Sequence, residues 1–105
     1  MEYRKLIRDY IPAIITAAGR SCETRVLDQQ EFLVALREKL VEEAQEVRTA
    51  REDQLPTELA DVLEVFETLL AAHGVSMEEV RLLQAERRRD RGGFASRLQL
   101  IRVQE

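Results

Sequence analysis

Two acidic motifs with helical spacing stand out in this sequence of 105 residues. Glu42, Glu43 and Glu46 form the first motif, and Glu58 and Asp61 form the second. Residues three positions apart project from the same side of an α-helix, so each motif directs two carboxylates one way. If the two helices pack together, the carboxylates converge and repel one another. A hard divalent cation relieves this repulsion, and the pattern therefore predicts a Mg²⁺ site, in which Mn²⁺ can substitute.

Each motif also places one acid inside a predicted apolar helix face. At about 100° per residue, Glu43 and Glu58 project within apolar stripes, whereas Glu64 and Glu67 project outward. The stripes comprise Leu33, Leu36, Leu40, Ala44 and Val47 on one helix and Leu55, Leu59, Val62, Leu63, Phe66, Leu69 and Leu70 on the next, with Val65 at the edge. An unpaired acid in such a position costs several kcal/mol, on the order of the penalty for burying a charge. Two such acids on neighbouring helices need a common partner.

A solvated helix surface is the simpler interpretation of either motif alone. Charged helix faces are common, and Lys39 with Glu43 forms a stabilising pair four residues apart. The recurrence of the pattern on two adjacent helices favours the metal site instead.

The chain is predicted to be all-α, with about four helices. The helices are expected at residues 9–18, 29–51, 55 or 57 to 73, and 77–89. Asp9 is expected to cap the first helix, and Asp28 with Glu31 and Ser76 with Glu79 form capping-box patterns. Residues 24–27 and 98–103 carry weak strand patterns, and they predict a minor two-stranded β ribbon leaning on the helices.

Composition predicts one domain over residues 1–105. The hydrophobic fraction is 45%, which is enough for one core, and no apolar run approaches the length of a membrane span. A net charge of −4 argues against a stable nucleic-acid partner. Cys22 is the single cysteine, so no internal disulfide can form, and a cytoplasmic setting is expected. Cys22 and His73 lack the surroundings of a catalytic pair.

The motifs together resemble the all-α nucleoside triphosphate pyrophosphohydrolases, which include the MazG proteins, the phosphoribosyl-ATP pyrophosphohydrolases and the dimeric dUTPases. The E-E-x-x-E motif followed by E-x-x-D is one part of this resemblance. Residues 3–12 are similar to the K-L-x-R-D-x-I-P segment of small family members. Further matches are Lys39-Leu40, Glu58-Leu59-Ala60-Asp61-Val62 and Arg91-Gly92-Gly93-Phe94. The similarity extends over nearly the whole chain.

The resemblance implies a MazG-like helical bundle and a Mg²⁺-dependent hydrolase. Its reaction cleaves a nucleotide between the α- and β-phosphates, giving a monophosphate and pyrophosphate, as in the house-cleaning of nucleotide pools. The implied metal ligands are Glu43, Glu46, Glu58 and Asp61. Glu42 would be a further ligand or would orient the attacking water, so Glu42 and Glu43 are the implied catalytic residues. The resemblance also implies a homodimer or homotetramer.

Basic side chains are expected to bind the phosphates of the substrate. The predicted set is Lys5, Arg8, Lys39, Arg87 and Arg91. Alternatively, the arginines near the end of the fourth helix only interact favourably with its dipole. The base and sugar of the substrate stay open, because the chain has few aromatic side chains for stacking on a base.

Two other functions are compatible with the sequence. Long amphipathic helices with few aromatic residues also suit a non-catalytic dimerisation or interaction module. A family member that binds nucleotide without turnover is the other alternative. No P-loop pattern and no Ser-His-Asp set competes with the metal-dependent interpretation.

Overall fold

Four α-helices make up the secondary structure of residues 4–104, the part of the chain that the computed structural model describes. They are α1 (Ile11–Ala17), α2 (Gln29–Thr49), α3 (Leu55–His73) and α4 (Met77–Arg91). The prediction of an all-α chain with about four helices is confirmed. Within the described residues, no helix combines the length and the apolar character needed to cross a membrane.

The start of α2 is fixed by a capping box and an ion pair. The Asp28 side chain accepts a hydrogen bond from the Glu31 amide at 2.9 Å, and the Glu31 carboxylate accepts one from the Asp28 amide at 3.1 Å. Arg25 donates two further bonds to the Glu31 carboxylate, at 3.2 and 2.9 Å. Hydrogen bonds from Arg25 and from the Asp28 backbone lower the pKa of Glu31 from 4.5 to about 2. The predicted capping box is therefore present.

The predicted β ribbon is wrong. Residues 24–27 and 98–103 are described throughout, and neither segment forms a strand. Residues 24–27 lead directly into the capping box of α2, where the Arg25 side chain is bound to Glu31. An isolated two-stranded ribbon is marginal in water, so a weak alternating pattern does not outweigh these local contacts.

The beginning of α1 also differs from the sequence prediction. The N-cap residue is Tyr10, whose backbone is helical, and no side chain caps this end. Asp9 lies in the preceding turn, so its assignment as the cap is wrong. A capping side chain works from an extended N-cap position, which Asp9 does not occupy. Pro12 lies in the first turn of the helix, as its missing amide hydrogen allows.

Helices α2 and α3 pack against each other across a short connection, residues 50–54. Pro56 lies in the first turn of α3, where its fixed φ favours helix initiation. Gly74 ends α3 with a φ of 66°, a left-handed conformation that is easiest for glycine. The two helices that carry the acidic motifs therefore form a helical hairpin.

The contact between α2 and α3 is centred on Leu36 and Val65. These two side chains are the buried hydrophobic residues of the described chain, with exposures of 1% and 8%. The sequence pattern predicts Val65 only at the edge of the apolar stripe. Because Val65, Asp61 and Glu58 are four and three residues apart, the rotation that buries Val65 brings both acids to the same side of α3. The acidic motif thus shares the buried face of α3.

Three predicted core positions are consequently exposed. Leu59 and Leu63 of α3 retain 49% and 51% of their accessible surface, and Ala44 of α2 is also exposed. Their assignment to the core of the chain is wrong, because the helix face around Val65 occupies the contact with α2. Glu64 and Glu67 are exposed, as predicted.

Spatial contacts divide the chain into two units, one ending at Gly74 and the other beginning at Val75. The first unit contains α1, α2 and α3 with both acidic motifs. In the second unit, Ser76 accepts a hydrogen bond from the Glu79 amide at 3.1 Å and so opens α4. Gly92 follows the last residue of α4, with a φ of 81°. That residues 1–105 form a single functional domain stays a prediction.

Candidate metal site

Three carboxylates from two helices come together on the α2–α3 hairpin. Glu43 of α2 and Glu58 and Asp61 of α3 each offer an oxygen atom, and these atoms all lie within 4.8 Å of one another. The side chains are partly buried: Glu43 is 13% exposed and Asp61 is 34% exposed. We call Glu43, Glu58 and Asp61 the carboxylate triad. Oxygen atoms this close can serve a single cation.

Repulsion within the group contributes to a raised pKa of Glu58. Its pKa is raised above the ordinary value, first because burial disfavours the charged form and then because of the charges of Asp61, Glu46 and Glu43. Each of these neighbours is a carboxylate, and like charges disfavour ionisation of a carboxyl group. The metal-free cluster therefore carries an electrostatic penalty that a bound cation would remove.

Glu46 lies outside the triad. Its residue is exposed, and it is not in the group of described acids whose oxygens lie within 4.8 Å. Its charge nevertheless contributes to the raised pKa of Glu58. The structure thus brings together three of the four predicted ligands, and a ligand role for Glu46 stays a prediction.

Lys39 bridges two adjacent acids of α2. Its ammonium nitrogen lies 3.4 Å from a Glu42 oxygen and 3.5 Å from a Glu43 oxygen. The Lys39 side chain is only 16% exposed. Its aliphatic part is covered, and its ammonium group lies beside Glu43 of the triad. The pair with Glu43 is the one that the spacing of four residues predicts.

Two cations reach the acids from the segment that precedes α1. Lys5 pairs with Glu42 at 3.4 Å, and Arg8 donates a hydrogen bond to Asp61 at 2.8 Å. The sequence predicts a role for both cations at the phosphates of a substrate, and that role stays a prediction. Their pairing with the acids is not predictable from the sequence, because charges so far apart along the chain meet only in the folded protein.

Among the residues that the structure describes, the acids in and around the triad outnumber the cations that pair with them. The carboxylates of Glu42, Glu43, Glu46, Glu58 and Asp61 are accompanied by the cations Lys5, Arg8 and Lys39. A divalent cation would reduce the repulsion among these carboxylates.

Arg87 and Arg91 lie at the end of α4, in the second unit, and both are exposed. Basic residues in the last turn of a helix interact favourably with its dipole, which is the alternative interpretation of their charge. Their predicted role in binding substrate stays a prediction. Cys22 is exposed and free.

No protein-family model matches the chain, and no solved structure matches it significantly. A Mycolicibacterium smegmatis protein described as uncharacterized is 46% identical over 46 residues, which is 44% of this chain and 47% of that protein. The matched region spans about half of either protein, and it defines no family.

The raised pKa of Glu58 leads to a prediction about stability without metal. Because the pKa of Glu58 is higher in the folded protein than its ordinary value of 4.5, ionisation of Glu58 lowers the free energy of unfolding. This loss of stability begins as the pH rises through 4.5, and it is complete above the pKa of Glu58 in the folded protein. We expect Glu58→Gln to raise the melting temperature at pH 7 in the presence of a chelator. At pH 3 the variant and the wild-type protein should melt alike.

Glu64→Gln is the matched control, because it removes the same charge from the exposed side of α3. It should change the melting temperature little at either pH. A lower melting temperature for Glu58→Gln than for the wild-type protein at pH 7 would show that Glu58 is held by a favourable contact rather than by repulsion.

Proposed function

We propose that this protein is a Mg²⁺-dependent pyrophosphohydrolase of the MazG-like class. Its substrate would be a nucleoside triphosphate or a related nucleotide such as phosphoribosyl-ATP. The observation that carries the proposal is the carboxylate triad, in which acids from two helices approach within 4.8 Å. The resemblance of the acidic motifs and of the two ends of the chain to that family supports the same function.

The chemistry of the donor groups fits Mg²⁺. Hard divalent cations take carboxylate oxygens as ligands, and Mg²⁺ commonly combines one or two carboxylates with phosphate oxygens and water. Softer metals would favour histidine or cysteine ligands, and the triad contains neither. Glu43, Glu58 and Asp61 would therefore hold the ion, with Glu46 as a further candidate. When bound, Mg²⁺ would neutralise phosphate charge and favour attack by water.

The reaction itself requires little covalent participation by the protein. One water molecule is added across the anhydride that joins the α- and β-phosphates. The hydroxyl group joins one phosphorus atom, the bond to the bridging oxygen breaks, and the remaining proton goes to the other product or to solvent. A nucleoside monophosphate and pyrophosphate result. Positioning and charge stabilisation are the main contributions expected of the enzyme.

Glu42 is suited to orient the attacking water. It is adjacent to Glu43 in sequence, and its carboxylate accepts hydrogen bonds from Lys5 and Lys39, both at 3.4 Å. These hydrogen bonds orient the carboxylate, and its second oxygen can accept a hydrogen bond from the attacking water. Glu42 and Glu43 are thus proposed as catalytic residues, with Glu43 also holding the ion.

Lys39 is proposed to bind a phosphate group from the edge of the triad, and Arg87 and Arg91 are proposed to bind the leaving pyrophosphate. A guanidinium can bind phosphate through two parallel hydrogen bonds. A reducing, cytoplasmic setting is part of the proposal, because the sole cysteine is free.

The direct test is pyrophosphate release from a panel of nucleotides in the presence of Mg²⁺. We expect activity with at least one nucleotide, and a loss of at least about a hundredfold in Glu43→Gln and Asp61→Asn, by analogy with the loss of a group that stabilises transition-state charge. Circular dichroism should show that both variants stay folded. Full activity in both variants would exclude the triad as the site, and a protein inactive on the whole panel would favour binding without turnover.

A second candidate function is favoured by the exposed apolar side chains of the hairpin. Leu59 and Leu63 share one side of α3, and Val34 and Val41 share one side of α2; each is about half exposed. A non-catalytic dimerisation module would use such surfaces. The proposed enzyme would also bury these side chains on assembly, because the resemblance implies a homodimer or homotetramer. Oligomerisation therefore does not distinguish the two functions, and the nucleotide panel described above does.

We propose that a second copy of the chain covers these side chains. Light scattering at micromolar concentration should then give at least twice the chain mass of 12.2 kDa. Leu63→Glu should shift the mass toward the monomer, because it places a charge on the covered surface. Glu64→Lys, a charge change on the exposed side of the same helix, should leave the mass unchanged. A wild-type mass of 12.2 kDa would contradict the assembly.

A further inference from the structure

Asp61 is engaged by a cation that belongs to the protein itself. A terminal nitrogen of Arg8 donates a hydrogen bond to one Asp61 oxygen at 2.8 Å. Asp61 is also a member of the carboxylate triad. A metal ion in the triad and the Arg8 guanidinium would therefore interact with the same carboxylate.

A metal ion and the Arg8 guanidinium would repel each other if both were bound to the Asp61 carboxylate. A guanidinium keeps its charge at any physiological pH, so Arg8 cannot become neutral when a divalent ion arrives. The repulsion between like charges at such short range favours departure of one of them. Arg8 is the more easily moved, because its ion pair is exposed to solvent, and exposed ion pairs are weak.

The backbone around Arg8 allows this movement. Residues 4–8 precede α1 and are not helical, so displacement of the Arg8 side chain does not break a helix. Leu6 and Ile7 are partly buried, which would anchor the segment while the Arg8 side chain moves. The Arg8 side chain is 56% exposed, which leaves it room to turn toward solvent or toward a ligand.

We propose that Arg8 alternates between two positions: on Asp61 when the site holds no metal, and on a phosphate group of the substrate when metal occupies the triad. The inference rests on the proposed function and adds a regulation of the same site. Arg8 then lowers the affinity for metal alone and raises the affinity for phosphate once metal is bound. Metal and substrate therefore favour each other's binding, as linkage between two sites requires.

Mn²⁺ binding in the absence of nucleotide tests the first position. By titration calorimetry at low ionic strength, we expect Arg8→Gln to bind Mn²⁺ about two- to fivefold more tightly than the wild-type protein, the range that an exposed ion pair provides. Arg37→Gln is the matched control, because it removes one exposed positive charge from α2 and so changes the net charge equally. It should bind Mn²⁺ like the wild-type protein.

Binding of inorganic pyrophosphate at a fixed excess of Mg²⁺ tests the second position. In this experiment Arg8→Gln should be the weaker binder. We expect it to bind pyrophosphate about tenfold more weakly than the wild-type protein or Arg37→Gln, as expected for the loss of a charged hydrogen bond. Tighter metal binding combined with weaker phosphate binding in one variant is the signature of the two positions. A residue that merely supports the fold would weaken both.

A double-mutant cycle identifies the carboxylate through which Arg8 acts. In an Asp61→Asn background, Arg8→Gln should leave Mn²⁺ affinity unchanged, because the shared charge is gone. If the wild-type protein binds Mn²⁺ but Arg8→Gln binds it equally or more weakly, the inference is overturned and the proposed function survives. If the wild-type protein binds no Mn²⁺, the metal site and the inference both fall.

Discussion

Packing of α2 against α3 around Leu36 and Val65 is the interaction on which the rest of the site depends. Burial of Val65 selects the face of α3 that also carries Glu58 and Asp61, and Glu43 approaches them from α2. Apolar burial thus forces together carboxylates that repel one another. Burial and this repulsion raise the pKa of Glu58, and the cations Lys5, Arg8 and Lys39 offset part of the repulsion. The proximity of these carboxylates is the reason for proposing a divalent cation as their partner.

The cations around the triad bear both on the stability of the hairpin and on the proposed function. Without metal, Arg8 and Lys39 partly neutralise Asp61 and Glu43, and the hairpin can form despite its acids. The same positive charges are those that a phosphorylated substrate would need. In the proposed function, this exchange of charge partners would take Arg8 from Asp61 to a phosphate group as metal and substrate bind. Arg8 is central to this exchange because it lies on a non-helical segment.

Short-range sequence patterns predicted the helices well. They did not predict the rotation of α3 about its own axis against α2. The capping box of Asp28 and Glu31 and the terminating Gly74 are read from short-range patterns, and both are present. The assignment of Leu59 and Leu63 to the core was wrong, because the broad apolar arc of α3 allows more than one face to meet α2. Spacing predicted the grouping of Glu43, Glu58 and Asp61, whereas the Arg8–Asp61 pair depends on tertiary contacts that spacing along the chain does not reveal.

The central claim, that the triad binds a divalent cation, is tested most directly by NMR with substoichiometric Mn²⁺. A paramagnetic ion broadens the signals of nearby nuclei, so amide spectra of the ¹⁵N-labelled protein locate it residue by residue. Binding at the triad should broaden the amides around Glu43 and around Glu58 to Asp61 first. Broadening spread evenly over all exposed acids, or centred on Glu78 and Glu79 at the start of α4, would contradict the claim.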